Sequence, residues 1–219
     1  MRHTSATKRR LLTMAGLGLT ATLALTGCQV EQGAAVFVGD ERIDEEVVDS
    51  YIDEHLQARG FDLAEQGHAD FSEERQSLVA AVTWVELGRQ MGLDSEGILT
   101  PAWSDPGTIE QLFTEESVYR GQIVSALLED HIPDQITDEH LQSVQNDLTE
   151  HGLHGEINPE YQHLPLLVAL SLASEDLSEQ VGDYDIKINP RYGDVRLELL
   201  PEEILAESPE LAGLYVLEF

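Results

Sequence analysis

Apolar residues recur every three or four positions in five segments of the chain, and this spacing constrains the fold more than any other feature. It is the period of α-helices with one buried face. Asp44, Ser72 and Thr137 stand where N-caps are expected, and the other two helices are predicted to start near Thr108 and Pro165. The fifth segment opens with PLLVALSLA, which is apolar nearly all round. It is therefore predicted to be the central core helix.

Two short strand patterns lie far apart in the sequence, at residues 36–38 and 186–189. Either strand would be unstable alone, so we expect them to pair and join the two ends of the body. The predicted fold is mainly α, with about five helices closed by a small two-stranded sheet over residues 36–195. Residues 196–219 are predicted to be an acidic C-terminal segment, and whether it is a docked strand or a loose tail stays open.

The N-terminal residues have the order of a bacterial export signal. Four basic residues and no acid precede an apolar run, residues 11–25, that is too short for a comfortable membrane span. The sequence LTGC at residues 25–28 resembles a lipobox, in which the cysteine thiol takes a diacylglyceryl group. We therefore expect a signal peptide over residues 1–27, a lipidated Cys28 and a tether over residues 28–35. An uncleaved anchor followed by an ordinary cysteine, and twin-arginine export, are alternatives.

The charge of the chain restricts its partners. The chain has 42 acidic residues and 12 lysines and arginines, and four of these basic residues precede Cys28. The mature chain would carry a net charge of −34, which argues against nucleic acid and anionic lipid surfaces as partners. Such self-repulsion is screened at about 1 M salt, so the composition suggests a salt-adapted protein, with an ordinary acidic exported protein as the alternative. Because Cys28 is the only cysteine, the body has neither a disulfide nor a thiolate metal site.

Four stretches resemble the N-terminal chaperone domain of SurA-like extracytoplasmic foldases. They are VFVGDERIDEEVVDSYI at residues 36–52, ELGRQMGL at 86–93, IPDQITDEHLQSVQNDL at 132–148 and IKINPRYGD at 186–194. Many relatives insert a parvulin-type prolyl isomerase domain, but the 48 residues from Thr137 to Tyr184 hold only two helical patterns. The resemblance therefore implies a chaperone-like binding domain that is not an enzyme and has no cofactor.

Several residues are candidates for function. Candidate residues for a client-binding surface between the second and third helices are Trp84, Trp103, Phe113 and Tyr119. The alternative is that these aromatic residues belong to the core, with Trp103 as the exception because it stands in a loop. A structural turn is expected at residues Asn189, Pro190, Arg191, Tyr192 and Gly193, where Arg191 would hold an acidic helix start. His151 and His154 are weak candidates for a zinc or copper site, because the adjacent glycines favour a loop with solvated histidines.

The sequence leaves three functions open. The first is a lipid-anchored holdase on the extracytoplasmic face of the cell membrane, with unfolded or newly exported proteins as partners. The second is a structural or accessory scaffold lipoprotein of the cell envelope. The third is a metal-binding lipoprotein that uses His151 and His154.

The lipid anchor has a direct test. Metabolic labelling with radioactive palmitate should label the wild-type chain and leave Cys28→Ser unlabelled, because the substitution removes the acylated thiol. Label that enters Cys28→Ser as strongly as the wild type would contradict the lipobox interpretation.

Overall fold

The computed structural model describes residues 33–58, 71–94, 102–154 and 157–217. The predicted signal peptide, Cys28 and the tether as far as residue 32 lie outside the described residues. Residues 35–219 form one compact unit. In the described part of this unit, no helix has the length and hydropathy that a membrane span requires.

The fold is mainly α, as the sequence predicts, and all five predicted helices are present. They are α1 (Glu45–Ala58), α2 (Ser72–Gln90), α3 (Ile109–Leu128), α4 (Asp138–Glu150) and α5 (Leu164–Gly182). A sixth short helix, α6 (Glu202–Glu207), lies in the segment after residue 195. Single 3₁₀ turns occupy Glu129–His131, Pro190–Tyr192 and Pro209–Leu211.

The helix starts follow local capping chemistry in two of the helices. Thr108 and Thr137 each accept a hydrogen bond from the backbone N–H three residues on, and the side chains of Gln111 and His140 return the bond. The predicted cap at Ser72 is wrong, because Ser72 is already helical and the N-cap position is Phe71, which makes no side-chain cap. α2 therefore depends on packing rather than on a cap at this end.

The core is built around α5 and around the contact between α2 and α3, the most extensive helix–helix contact. Val168, Ala169, Leu170 and Ala173 of α5 are fully buried, which confirms its predicted central place. α2 and α3 meet at a glycine. A Cβ at Gly88 would lie only 2.3 Å from Tyr119 Cδ1, so a larger residue would push the helices apart.

The predicted strand pairing is confirmed. β1 (Ala34–Val38) is antiparallel to β3 (Lys187–Ile188), with Val36 opposite Ile188 and Phe37 opposite Lys187. The sheet has three strands rather than two, since β2 (Glu41–Asp44) pairs with the other edge of β1. The Gly39 turn between β1 and β2 has a positive φ of 56°, and its N–H donates to the Tyr184 carbonyl at 2.6 Å.

The segment after residue 195 is docked against the body and is not a loose tail. Its strands β4 (Leu197–Glu198) and β5 (Val216–Leu217) pair with each other, with Leu197 opposite Leu217. Tyr215 is buried and its hydroxyl donates to Asp147 Oδ2 of α4 at 2.9 Å. The buried apolar residues of the segment join the core; they are Leu197, Leu199, Leu200, Ile204, Leu211, Tyr215 and Leu217.

The predicted turn after β3 fastens the C-terminal half to the start of α1. Asn189 Oδ1 accepts from the Arg191 N–H at 3.1 Å, and Asn189 Nδ2 donates to Glu45 Oε1 at 3.1 Å. Arg191 Nη1 forms an ion pair with Glu45 Oε2, so the arginine holds an acidic helix start as predicted. Pro190 and Tyr192 form the 3₁₀ turn, and Gly193 follows with a φ of 73°.

Candidate functional site

A cleft of about 820 Å³ lies where α2 and α3 meet the segment after β3, and we call it the α2–α3 cleft. One wall is α2, the second is α3, and the third is the C-terminal segment. Its lining residues are Glu73, Gln76, Ser77, Ala80, Ala81, Trp84, Phe113, Glu116, Ser117, Arg120, Asp194, Arg196, Glu198, Glu202 and Leu205. The third wall is fixed to α2, because Gln76 Nε2 donates to the Tyr192 carbonyl at 2.8 Å.

The cleft combines apolar and acidic surface. Phe113 is 41% exposed, which makes it one of the few large apolar side chains that the described part of the fold leaves open to solvent. It also borders a smaller cleft of about 190 Å³ with Ile52, Leu78 and Ile109. Exposed aromatic surface between two clefts can take up an apolar side chain from another molecule.

Two carboxyl groups of the cleft are perturbed by burial. Burial raises the pKa of Glu116, although Arg120 at 3.2 Å acts in the opposite direction. Burial also raises the pKa of Glu198, against the lowering effects of the Gly213 N–H and of Arg196. The two groups lie in different walls of the cleft, both partly dehydrated, where an added positive charge would be favoured.

The structure separates the four aromatic residues that the sequence grouped together. Trp84 and Phe113 both line the α2–α3 cleft, as expected, but Trp84 is only 1% exposed and belongs to its floor. Tyr119 is 3% exposed and packs in the core at Gly88, which agrees with the core alternative for this residue. Trp103 does not line the cleft and is held by side chains of α2.

Trp103 belongs to a buried charged group that we call the Arg89 cluster, made of Glu86, Arg89, Trp103 and Glu115. The Trp103 indole N–H donates to Glu86 Oε2 at 2.9 Å, and the Arg89 guanidinium carbon lies 4.3 Å from the ring centroid. Arg89 Nη1 is 3.5 Å from Glu86 Oε2, and Nη2 is 3.8 Å from Glu115 Oε1. One guanidinium thus faces two nearly buried carboxyl groups. The cluster joins α2, α3 and the loop between them, so its role is structural.

Burial in and beside the Arg89 cluster shifts two acidic groups. It raises the pKa of Glu115, and Arg89 only partly opposes this. It raises the pKa of Tyr51 to about 12, with the Glu115 charge as the next cause. Arg89 does not fully offset the free-energy cost of burying the Glu115 charge. Removing this charge should therefore raise the free energy of unfolding.

Every arginine and lysine among the described residues forms an ion pair with a carboxylate. The pairs join Arg42 to Asp44, Arg75 to Asp49, Arg89 to Glu86 and Glu115, Arg120 to Glu116, Lys187 to Asp185, Arg191 to Glu45 and Arg196 to Asp194. Because most of these pairs are exposed, each stabilises the fold little. Because all of these basic side chains are paired, the charge that the described surface presents to a partner is negative.

The two candidate metal ligands lie at the end of α4. His151 is the C-cap residue of α4, and both His151 and His154 are exposed in the turn that follows. The predicted loop is confirmed by Gly152, whose φ is 81°. Across the described residues, no group of three or more histidine, cysteine, aspartate or glutamate side chains is arranged to hold a metal ion.

Helical periodicity in the sequence indicates the buried charges. Glu115 and Glu116 follow Leu112 by three and four positions, so helical periodicity places them on the inward face with Tyr119. Glu86 follows Val82 by four positions and Arg89 follows Val85 by four positions, so both are also placed on an inward face. A charge at an inward position predicts a buried ion pair, because an isolated buried charge is too costly.

Comparisons with protein-family models, with curated proteins and with solved structures give no significant match. The resemblance to SurA-like chaperone domains therefore stays a prediction.

The raised pKa of Glu115 predicts how stability depends on pH. A carboxyl group with a raised pKa in the folded state contributes stability that is present at low pH and is lost as pH rises through that pKa. Glu115→Gln should therefore raise Tm by about a few degrees at pH 7.5, because Arg89 keeps Glu86 as its partner, and this gain should shrink toward pH 5.

The matched control is Glu110→Gln, an exposed glutamate on the same helix, which removes one charge without changing a buried group. Calorimetric melting curves of both variants over this pH range give the comparison. A Glu115→Gln protein that is less stable than the wild type at pH 7.5 would show that the carboxylate stabilises the Arg89 cluster.

Proposed function

We propose that this protein is a lipid-anchored holdase that binds unfolded segments of exported proteins at the extracytoplasmic face of the cell membrane. One observation carries the proposal: a cleft with an exposed aromatic side chain lies between α2 and α3. A holdase needs exposed apolar area, and Phe113 supplies it on a rigid helix. The proposed activity involves no catalysis and no cofactor.

The place of action follows from the expected anchor. β1 begins at Ala34, so the six residues from Cys28 to Gly33 span at most roughly 22 Å when fully extended, and the body would work close to the membrane. Diacylated cysteine would anchor it stably, since two acyl chains suffice for this. The net negative charge would keep the body itself away from anionic lipid.

The resemblance to SurA-like domains supports the same function. The strand that closes the fold, the Asn189 to Gly193 turn and the Gln90 contact with β1 all lie in the stretches that carry the resemblance. Gln90 Nε2 donates to the Val38 carbonyl, which links the end of α2 to the end of the central strand β1. These stretches are thus the places where distant parts of the chain are joined.

An aggregation assay tests the holdase function. The protein, purified from membranes in mild detergent, should slow light scattering by a thermally unfolding model enzyme without ATP, at several-fold molar excess and about 1 M salt. Phe113→Ser should lose at least half of this effect, because it removes apolar contact area from the cleft.

The matched control is Leu172→Ser on α5, since Leu172 is 43% exposed and does not line the α2–α3 cleft. It should suppress aggregation as the wild type does. Equal scattering with protein and with detergent alone would contradict the holdase function and favour the envelope scaffold.

A further inference from the structure

The α2–α3 cleft has more carboxylates than basic side chains to pair with them. It is lined by five acidic side chains and two arginines. Arg120 is paired with Glu116 at 3.2 Å, and Arg196 with Asp194 at 2.9 Å. The other three acids, Glu73, Glu198 and Glu202, form no ion pair with the arginines and lysines that the structure describes. The cleft can therefore accept positive charge without first breaking a pair.

The three acids are placed around apolar surface. Glu73 lies on α2, Glu198 on β4, and Glu202 on α6 one turn before Leu205. All three line the same cleft as Phe113 of α3. A bound group that matches this surface needs an apolar body and a cationic end. Arginine and lysine side chains have this form, and a guanidinium can also stack on an exposed aromatic ring.

We propose that the α2–α3 cleft binds extended polypeptide segments in which arginine or lysine stands beside apolar residues. The inference rests on the proposed holdase function and specifies the class of segment that it would hold. Acidic segments and a second copy of this chain, whose net charge is −30, would be repelled by the same carboxylates. Every arginine and lysine in the described part of the fold already pairs with a carboxylate. This also favours basic segments over acidic ones as the bound partner.

Binding of three dye-labelled peptides tests this inference by fluorescence anisotropy. The peptides share their apolar residues and carry two arginines, two glutamines or two glutamates at the same positions. The arginine peptide should bind the wild-type protein roughly tenfold more tightly than the glutamine peptide in about 0.1 M salt, and the glutamate peptide more weakly than either. The preference should shrink toward about 1 M salt.

Two double variants distinguish the effect of the cleft carboxylates from the effect of the protein's net charge. Glu73→Gln with Glu202→Gln removes two exposed carboxylates from the cleft and should reduce the preference to roughly threefold or less. Glu139→Gln with Glu160→Gln removes two exposed carboxylates elsewhere and should leave the preference unchanged. Circular dichroism checks that both proteins are folded.

The outcomes distinguish this inference from the holdase function. Equal binding of all three peptides, or equal losses in the two double variants, would overturn the assignment of basic segments to the cleft. A protein that suppresses aggregation and shows either result keeps its holdase function but not this selectivity. Tighter binding of the glutamate peptide would also overturn the inference.

Discussion

The close approach of α2 and α3 at Gly88 is the contact on which the rest of the structure depends. The missing side chain of Gly88 lets the Tyr119 ring lie directly against the α2 backbone. This brings Glu86 and Arg89 within reach of Glu115, so the Arg89 cluster can form across the two helices. Trp84 and Phe113, which line the α2–α3 cleft, lie on the two helices that this contact brings together.

The fold accommodates a strongly acidic composition because its basic residues are paired, its buried glutamates lie beside arginines, and its other acids lie around the body. The described arginines and lysines are paired, and those at Arg89 and Arg191 join parts of the chain that are distant in sequence. Glu115 and Glu116 are buried beside Arg89 and Arg120, where burial raises their pKa. The remaining acids surround the body, so the surface repels acidic partners and attracts basic ones.

Local chemistry explains what the sequence could predict. The Thr137 cap and the helix start near Thr108 depend on neighbours in the chain, and the structure has both at the predicted places. The predicted cap at Ser72 misses by one position, since the N-cap residue is Phe71. The burial of Tyr119 depends on Gly88 of another helix, so neighbours in the chain do not decide between a core place and a client-binding surface for it. The docking of residues 197–217 also depends on tertiary contacts, because their apolar side chains show no helical period and stand among acids and prolines.

A matched pair of glycine substitutions tests the account at its centre. Gly121→Ala on α3 meets no atom within 4 Å and should raise the free energy of unfolding by about 0.5–1 kcal/mol, as expected for an exposed helix position. Gly88→Ala should lower it by about 1–3 kcal/mol, because the new methyl group overlaps Tyr119 Cδ1, Cγ and Cβ and α3 must move. Urea unfolding of both variants and the wild type gives the comparison. A Gly88→Ala protein as stable as Gly121→Ala would contradict the close contact of α2 with α3.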